Sequence, residues 1–386
     1  MKVRVFIAFL LLSVKVYAQA PQLSERAEIS IITCGPYQGE LYSAFGHSAI
    51  RVNDPVTQKD FAFNYGVFDF DQPNFYLNFT RGHLLYKLGY YPYDLFRDHY
   101  ISHNRYVHEQ VLDLTPHQKQ QVFDYLYWNI QPENVNYLYD YFYNNCATKV
   151  RDVFVDVFSD SIKFDESYAT PGFTVRDLTH HYLPKQPWGE LGIEICLGQP
   201  MDKELTPYQY MFIPDYVESG FNHATLQGKP IVKETISVYE SKPEQESFSF
   251  LHPWIVFGSF LIMTLALTYR DWKRRRLSKW FDVIIFSLVG WLGLLLFILW
   301  VATDHRAAAN NFNLLWAFPL HAVTATMLYR QRFYGFLKNY FTVTGIVLTA
   351  TLGLWFFLPQ QLNIFLIPVV TALAVRAFAI RQLIHA

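Results

Sequence analysis

Apolar runs divide the chain into two unequal parts. Residues 21–250 mix apolar and polar positions, whereas the C-terminal third holds five apolar runs, at roughly residues 253–269, 281–302, 314–329, 341–358 and 364–380. A helix needs about 20 predominantly apolar residues to span a bilayer. The pattern therefore predicts a folded domain over residues 21–250, followed by an all-α domain of five transmembrane helices over residues 251–386.

A shorter apolar run at the N-terminus predicts export. Two basic residues precede the run over residues 5–14, and small residues follow it. The run is too short to span a bilayer comfortably and has the organisation of a secretory signal, so we expect residues 1–20 to be cleaved as a signal peptide. An uncleaved anchor is the alternative, and Lys15 near the end of the run favours it.

Basic residues orient the predicted membrane helices. The first and third connections between them carry nearly all of these charges, namely Arg270, Lys273, Arg274, Arg275, Arg276 and Lys279, then Arg330, Arg332 and Lys338. The second connection carries only Arg306 and the fourth carries none. Connections rich in lysine and arginine stay in the cytoplasm. Residues 21–250 are therefore expected outside the cytoplasm, which agrees with a signal peptide.

The domain before the membrane helices is predicted to be α+β. Alternating or β-branched apolar positions predict strands at residues 28–33, 48–53, 61–65 and 106–114, and helical spacing predicts helices at 116–130, 146–158 and 174–182. Residues 68–106 are dense in aromatic side chains and fit neither pattern. The chain beyond residue 184 has the composition of loops, with a polar linker at 241–247. We expect a small antiparallel sheet with helices packed on it.

Charge and motifs exclude several functions. The net charge of −1 gives no reason to expect nucleic-acid binding. The sequence shows no metal-ligand spacing, nucleotide-binding loop or cofactor motif, so we expect neither a metal nor a cofactor.

A cysteine and a histidine stand where catalysis can use them. Asn145 is a good helix N-cap, which places Cys146 on the exposed first turn, and His47 follows Gly46 at the start of a strand. A helix N-terminus and a nearby imidazole lower the pKa of a thiol, and the thiolate is the nucleophile. This favours acyl transfer through a thioester, with an imidazole of near-neutral pKa as base. A core cysteine and a structural histidine are the alternative.

The other two cysteines allow one disulfide. Cys34 and Cys196 can pair in an oxidising compartment, which would leave Cys146 as the free thiol.

Several motifs together resemble one family. The order of a strand-borne histidine before a helix-start cysteine resembles the circularly permuted papain-like group that includes lecithin:retinol acyltransferases. More closely, six segments resemble the Lnb family of Bacteroides-type lipoprotein N-acyltransferases. They are Ile32-Thr33-Cys34-Gly35-Pro36, Glu40-Leu41-Tyr42, Phe45-Gly46-His47, Asn64-Tyr65-Gly66, Asn144-Asn145-Cys146 and Thr174-Val175-Arg176-Asp177-Leu178.

The resemblance implies a permuted papain-like domain in the periplasm, attached to the bacterial inner membrane. Cys146 would take an acyl chain from a phospholipid, with His47 as general base. The acyl chain would then pass to the α-amino group of the diacylglyceryl-cysteine at a lipoprotein N-terminus. The partners implied are therefore a phospholipid donor, a diacylated lipoprotein acceptor and the membrane.

A third group should orient His47, and donors should stabilise the oxyanion. In the permuted group the orienting residue lies on the next strand, where Asn64 stands, with Tyr65 and Asp60 as rivals. The Cys146 backbone N–H is one expected donor, and Tyr42 or Asn145 are candidates for another.

Charged and polar residues near these motifs have two possible roles. Glu40, Arg51, Arg151 and Arg176 can brace the domain through ion pairs, and the arginines can instead hold a lipid phosphate. His305 and Asn313, in the second connection between membrane helices, can contact a headgroup or belong to a solvated loop. Residues 68–100 are a candidate face for resting on lipid. Arg376 is close enough to the membrane surface to extend there and receives no role.

Two other functions remain open from the sequence. One is a thiol hydrolase of the envelope with the same residues, either a cell-wall endopeptidase or a phospholipase. The other is a membrane scaffold that does no chemistry.

Overall fold

The computed structural model describes residues 20–68, 71–243 and 250–384. The predicted signal peptide, apart from its last residue, and part of the predicted linker at 241–247 lie outside the described residues.

An antiparallel sheet forms the centre of the N-terminal domain. Its seven strands are β1 Glu28–Cys34, β2 His47–Asp54, β3 Lys59–Val67, β4 Leu84–Pro92, β5 Val107–Leu112, β6 Asn136–Tyr139 and β10 Val232–Tyr239, in the order β10-β5-β1-β2-β3-β4-β6. A second sheet contains β7 Ile162–Phe164, β8 Ala224–Leu226 and β9 Lys229–Pro230. The predicted antiparallel sheet is confirmed, and its four predicted strands are β1, β2, β3 and β5.

The remaining strands escaped the sequence pattern for physical reasons. β10 is an edge strand whose side chains are mostly exposed, so it carries no buried apolar alternation. β4 belongs to the aromatic-rich stretch and β6 has only four residues.

Helices cover both faces of the large sheet. They are α1 Phe75–Arg81, α2 Tyr93–Ser102, α3 Pro116–Asn129, α4 Cys146–Phe158, α5 Val175–Tyr182, α6 Pro187–Cys196, α7 Pro207–Tyr210 and α8 Pro214–Asn222. Ile29 and Ile31 of β1 lie in one buried cluster with α3, α4 and α8, whereas Ile32 and Cys34 lie in another with α2. Because strand side chains alternate between faces, one strand serves both clusters.

The prediction that the chain beyond residue 184 consists mainly of loops is wrong. Three helices, α6, α7 and α8, follow there, and each begins with a proline at its first helical position. Proline is compatible with that position because its missing N–H has no helical partner there. The prolines, and the two glycines inside α6, gave these segments the composition of loops.

The C-terminal part is helical. Its α-helices are α9 Pro253–Arg274, α10 Lys279–Val301, α11 His321–Thr326, α12 Tyr334–Gly353 and α13 Ile367–Leu383. Three helical segments of the described chain are long and apolar enough to cross a membrane: Pro253–Arg274, Lys279–Val301 and Ile364–Leu383. The predicted run at 314–329 is not one helix, because Pro319 separates a 3₁₀ turn from the short α11. The count of five spanning helices is therefore not confirmed.

A buried arginine joins three membrane helices. The Arg376 side chain of α13 is fully buried, so the prediction that it reaches the membrane surface is wrong. Its guanidinium donates to both carboxylate oxygens of Asp282 on α10, at 2.7 and 2.8 Å, and to Asp271 on α9 at 3.1 Å. Charged groups are costly in this environment unless they are paired, so the three residues fix how the helices pack.

The two domains meet through buried polar contacts. The carbonyl oxygen of Ile195 accepts hydrogen bonds from Asn311 Nδ2 at 2.8 Å and Asn313 Nδ2 at 3.2 Å. Gly198 approaches the membrane domain so closely that an added Cβ would lie 1.8 Å from the carbonyl oxygen of Ala309. Only glycine fits there. We call this set of contacts the joint.

We expect Asp282→Ala to destabilise the protein strongly, since it removes the bidentate partner of the buried Arg376. Removing one partner of a buried ion pair costs about 3–5 kcal/mol. The measurement is the midpoint of thermal unfolding in detergent, with Asp98→Ala, an exposed ion-pair partner on α2, as the control. An unchanged midpoint for Asp282→Ala would contradict the structural role of the pair.

Candidate active site

The structure brings Cys146 and His47 to the same point. Cys146 is the first residue of α4, and His47 is the first residue of β2. Between them lies Gly66 of β3, where an added Cβ would sit 3.6 Å from Cys146 Cβ and 3.9 Å from His47 Cε1. Gly66 has φ +95°, a backbone conformation that side chains with a Cβ rarely adopt. The glycine therefore leaves open the space that the thiol and the imidazole face.

Local sequence explains why the thiol is at this position. Asn145 caps α4, its side chain accepting from the backbone N–H of Thr148 at 2.9 Å, while the Thr148 hydroxyl accepts from the backbone N–H of Asn145 at 2.8 Å. This capping box fixes the first turn of the helix. The predicted N-cap is confirmed, and Cys146 occupies the position that the cap defines.

Asn64 holds the imidazole of His47. His47 Nε2 lies 2.5 Å from Asn64 Oδ1. An amide oxygen only accepts hydrogen bonds, so Nε2 carries the proton and Nδ1 is left as the basic nitrogen. Of the three candidates named from the sequence, Asn64 is the one in contact with His47. The rivals are engaged elsewhere: Asp60 pairs with Arg51, and the Tyr65 hydroxyl donates to Asn129 at 2.6 Å.

Aromatic rings of α2 enclose the imidazole. The His47 ring stacks on Tyr100, with centroids 5.7 Å apart and planes inclined by 13°, and Phe96 lies 6.3 Å away. These rings remove water from one side of His47. The sequence did not identify α2, which lies in the unassigned aromatic stretch.

The pKa of His47 is lower than the sequence led us to expect. Burial lowers the pKa of His47 to about 4, the hydrogen bond that His47 Nε2 donates to Asn64 opposes this shift, and the positive charge of Arg105 adds to it. The expectation of a pKa near neutrality is therefore wrong for the resting site. At neutral pH the imidazole is uncharged and able to accept a proton.

The thiol is also neutral at rest. Burial raises the pKa of the Cys146 thiol, while hydrogen bonds from the backbone N–H groups of Ser48 and Ala147, together with Arg105, act against the rise. The expected lowering by the helix N-terminus is thus outweighed by burial. The same N–H groups are the donors available to a thiolate, or to an oxyanion beside it.

Arg105 also belongs to this site, although no sequence pattern points to it. Its side chain is 5% exposed, Nε donates to the carbonyl oxygen of Gly35 at 2.6 Å, and Cζ lies 4.6 Å from the centroid of the Tyr100 ring. One terminal nitrogen, Nη2, is buried and has no partner among the described residues. A buried cation without a carboxylate favours anions nearby. An arginine at a turn before a strand gives no sequence signal of this kind.

Several predicted oxyanion or binding residues are occupied by structural contacts. The Asn145 amide nitrogen donates to the carbonyl oxygens of Tyr141 and Phe212, at 2.9 and 2.8 Å, so it is not free for an oxyanion. Tyr42 is 68% exposed and packs edge-on against Phe68. Glu40 Oε2 accepts from the Ser43 hydroxyl at 3.4 Å.

The arginines that flank the motifs form ion pairs within the domain, which is the structural one of the two roles considered for them. Arg51 bridges Asp60 and Glu109, at 2.7 and 2.8 Å. Arg151 pairs with Asp152 and lies over the ring of Tyr208, and Arg176 pairs with Asp202 while also donating to the carbonyl oxygens of Glu194, Leu197 and Gly198.

The two predicted headgroup residues of the membrane domain also have structural partners. Asn313 is 1% exposed and belongs to the joint. His305 Nε2 lies 3.0 Å from the carbonyl oxygen of Phe79, which attaches α1 to the membrane domain.

The disulfide that the sequence allows does not form. Cys34 and Cys196 are both free thiols. Cys34 is buried between β1 and α2, whereas Cys196 ends α6 near the joint. Strand β1 and helix α6 thus direct the two sulfurs into different packing layers.

One cluster of the described residues has the composition of a metal site. Ligand atoms of His180, Glu190 and Glu194 all lie within 4.8 Å of one another. Each carboxylate already has a partner: Glu190 lies 2.6 Å from His180, and Glu194 accepts from Asn363 at 2.6 Å. The cluster belongs to the contacts between the two domains.

The fold and the site define a membrane protein whose domain outside the membrane carries a cysteine–histidine–asparagine centre. Two family models match the chain: the Lnb N-terminal periplasmic domain over residues 22–181, and the Lnb transmembrane domain over residues 244–385. The chain belongs to the Lnb family. It is therefore a membrane-associated enzyme of lipoprotein processing with a periplasmic domain. Searches of curated proteins and of solved structures gave no match.

We expect alkylation of Cys146 by iodoacetamide to accelerate with pH and to show no plateau below neutrality. Burial raises the pKa of the thiol, so the reactive thiolate grows only as pH rises, and His47, with a pKa of about 4, stays neutral throughout. The rate is measured by mass spectrometry between pH 5 and 10 on a Cys34→Ala/Cys196→Ala background. A fast plateau between pH 5 and 7 would show a preformed thiolate–imidazolium pair instead.

We expect Arg105→Gln to slow this alkylation at pH 8, because loss of the positive charge raises the pKa of the thiol further. Each unit of pKa reduces the thiolate, and hence the rate, by a factor of about ten. Arg105→Lys, which keeps the charge, is the matched control. Equal rates for the glutamine and lysine variants, with both folded by circular dichroism, would mean that the charge does not act on Cys146.

Proposed function

We propose that this protein is a lipoprotein N-acyltransferase of the bacterial inner membrane. It transfers an acyl chain from a phospholipid, through a thioester on Cys146, to the α-amino group of the diacylglyceryl-cysteine of a lipoprotein. The observation that carries the proposal is the set of Cys146, His47 and Asn64 on a periplasmic domain that is joined to membrane helices. A histidine on a strand and a cysteine at a helix start also fit a permuted papain-like domain.

The first half-reaction loads the thiol. His47 Nδ1 takes the Cys146 proton as the sulfur attacks the carbonyl carbon of the phospholipid ester. The backbone N–H groups of Ser48 and Ala147 face the negative charge that develops there. The C–S bond forms, the C–O bond breaks, and the imidazolium returns its proton to the leaving alkoxide, which departs as a lysophospholipid.

The second half-reaction releases the acyl group to the lipoprotein. The neutral α-amino nitrogen attacks the thioester carbon, the C–N bond forms and the C–S bond breaks. The amine loses one proton to His47, which returns it to the thiolate. Dividing the transfer into two steps lowers each barrier.

The low pKa of His47 favours the step in which it acts as an acid. Burial makes the imidazolium unstable, so it gives its proton readily to the alkoxide of the leaving lysophospholipid. The same burial makes His47 a weaker base, and Asn64 offsets part of this by accepting a hydrogen bond from Nε2.

An aromatic surface connects the thiol to the membrane domain. The ring of Tyr139 lies beside Gly66 and stacks on Tyr86, with ring centroids 4.3 Å apart. The centroids of Tyr86 and Phe68 are 5.1 Å apart. The ring centroids of Phe68 and Phe75 of α1 are 6.4 Å apart. The carbonyl oxygen of Phe79, on the same helix, is hydrogen-bonded to His305 of the membrane domain. Extraction of an acyl chain into water costs about 0.8 kcal/mol per CH₂. Aromatic rings in contact from the membrane domain to the thiol offer the chain apolar partners and so reduce that cost.

Hydrolysis is the alternative reaction of the same residues. It needs a water molecule at the thioester, and the rings of Phe96 and Tyr100 exclude water from one side of His47. A soluble peptidase also has no use for membrane-spanning helices. Both observations favour transfer.

We expect the purified protein in phospholipid vesicles to convert a diacylated lipopeptide to its N-acylated form. Cys146→Ala abolishes the conversion, and His47→Ala reduces it by about 10²–10⁴-fold, the usual contribution of general acid–base catalysis. Mass spectrometry of the lipopeptide is the measurement, and Cys196→Ala is the control. Release of free fatty acid without N-acylation identifies a hydrolase. Full conversion by Cys146→Ala would exclude the thioester.

A further inference from the structure

A groove in the membrane domain has no role in the chemistry described above. It has a volume of about 910 Å³ and lies between α10, the broken segment that precedes α11, and α12. Leu314, Leu315, Phe318, Val343 and Val347 give it an apolar lining, and no Asp, Glu, Lys or Arg of the described chain lines it. Its volume falls within the range of ligand pockets, about 300–1,000 Å³.

The two ends of the groove are polar. At one end, Gln199 of the periplasmic domain meets Asn310, its backbone N–H donating to the Asn310 carbonyl oxygen at 3.4 Å. At the other end, His321 Nδ1 lies 2.7 Å from the Tyr340 hydroxyl. The groove therefore starts at the joint and ends at a hydrogen-bonded pair inside the membrane domain.

The groove is long enough to span one leaflet of a bilayer. The groove is lined by α12 from Tyr340 to Val347 and continues past the end of that helix at Gly353 to Pro359. Tyr340 lies 13 residues before Gly353, a distance of about 20 Å at 1.5 Å per residue. The hydrocarbon core of a bilayer is about 30 Å thick, so one leaflet is about 15 Å deep. The groove thus covers the leaflet that adjoins the periplasmic domain.

The size of the groove favours a lipid chain over a partner helix. A helix with its side chains is about 10 Å across, so a 20 Å length occupies about 1,600 Å³, well above the volume of the groove. An acyl chain is narrower and uncharged, which suits a lining without charged residues. The phospholipid of the adjoining leaflet supplies such chains at the highest concentration of any component.

We infer that this groove binds an acyl chain of the phospholipid donor, with the headgroup end of that lipid held at the joint. This inference rests on the proposed function, since it names where the donor is held. The joint is continuous with the attachment of α1 at Phe79, and from α1 the aromatic surface leads to Cys146. The ester of a lipid held at this end of the groove therefore lies on the side from which the thiol is approached.

The test fills the groove with one side chain. Val347→Trp places an indole inside the groove, and Ile346→Trp places the same indole on the exposed neighbouring face of α12, which does not line it. Each full-length variant is reconstituted in vesicles of phosphatidylethanolamine and phosphatidylglycerol. Acylation of Cys146 is followed by intact mass spectrometry without any lipoprotein. The soluble ester 4-nitrophenyl butyrate serves as a second donor that needs no groove.

We expect Val347→Trp to acylate about tenfold more slowly from phospholipid, which corresponds to about 1.4 kcal/mol, and at the wild-type rate from the butyrate ester. Ile346→Trp should match the wild type with both donors. A wild-type rate from phospholipid in Val347→Trp would overturn the inference, as would an equal loss with both donors. Slow lipoprotein transfer with normal acylation would place the acceptor in the groove and overturn it too.

A binding measurement separates this inference from the proposed function. Native mass spectrometry counts phospholipids that remain bound to the detergent-purified protein. We expect Val347→Trp to retain one fewer phospholipid than the wild type and Ile346→Trp to retain the same number. This result stands even if Cys146 accepts no acyl group, in which case the proposed function fails and the lipid site remains. Equal retention in all three proteins would overturn the inference.

Discussion

The hydrogen bond between His47 and Asn64 determines what the centre can do. It places the ring proton on Nε2 and leaves Nδ1 basic, so a neutral imidazole can take the proton of a neutral thiol. Without this bond the ring has no fixed tautomer, and neither the stacking on Tyr100 nor the charge of Arg105 selects one. The electrostatics of the pocket therefore depend on one amide oxygen on an inner strand of the sheet.

The register of the sheet positions that oxygen. His47 pairs with Cys34 of β1, and Ile50 pairs with Phe63 of β3. This register sets Asn64 opposite Ala49, which lies two residues from His47 on the same face of the sheet. A slip of one residue would turn His47 or Asn64 to the opposite face of the sheet. The buried isoleucines of β1 and β2 oppose such a slip, because it would expose them to the wrong layer. The apolar core thus fixes the polar centre.

Local patterns predicted the part of the site that local structure builds. The strands β1, β2 and β3 show apolar or β-branched positions, and Asn145 shows an N-cap, so the places of His47, Asn64 and Cys146 follow from the sequence. The resemblance to a family then joined segments that lie about a hundred residues apart.

The other features of the site depend on long-range packing, which the sequence does not reveal. Burial of the thiol and the imidazole, which reverses one expected pKa and shifts the other, depends on α2 and on Arg105, and no local signal reveals that an arginine is buried. Arg376 likewise has the sequence context of a surface residue, yet its partners come from two other helices. Helices that begin with proline and contain glycine have the composition of loops until their tertiary contacts are seen.

The close approach of Gly198 to Ala309 has a mechanical consequence. With backbone against backbone, any side chain larger than hydrogen at residue 198 would force the two domains apart where they meet. The neighbouring hydrogen bonds to the carbonyl oxygen of Ile195 would be disturbed with it. A single atom added far from the thiol would therefore change how the periplasmic domain is seated on the helices below it.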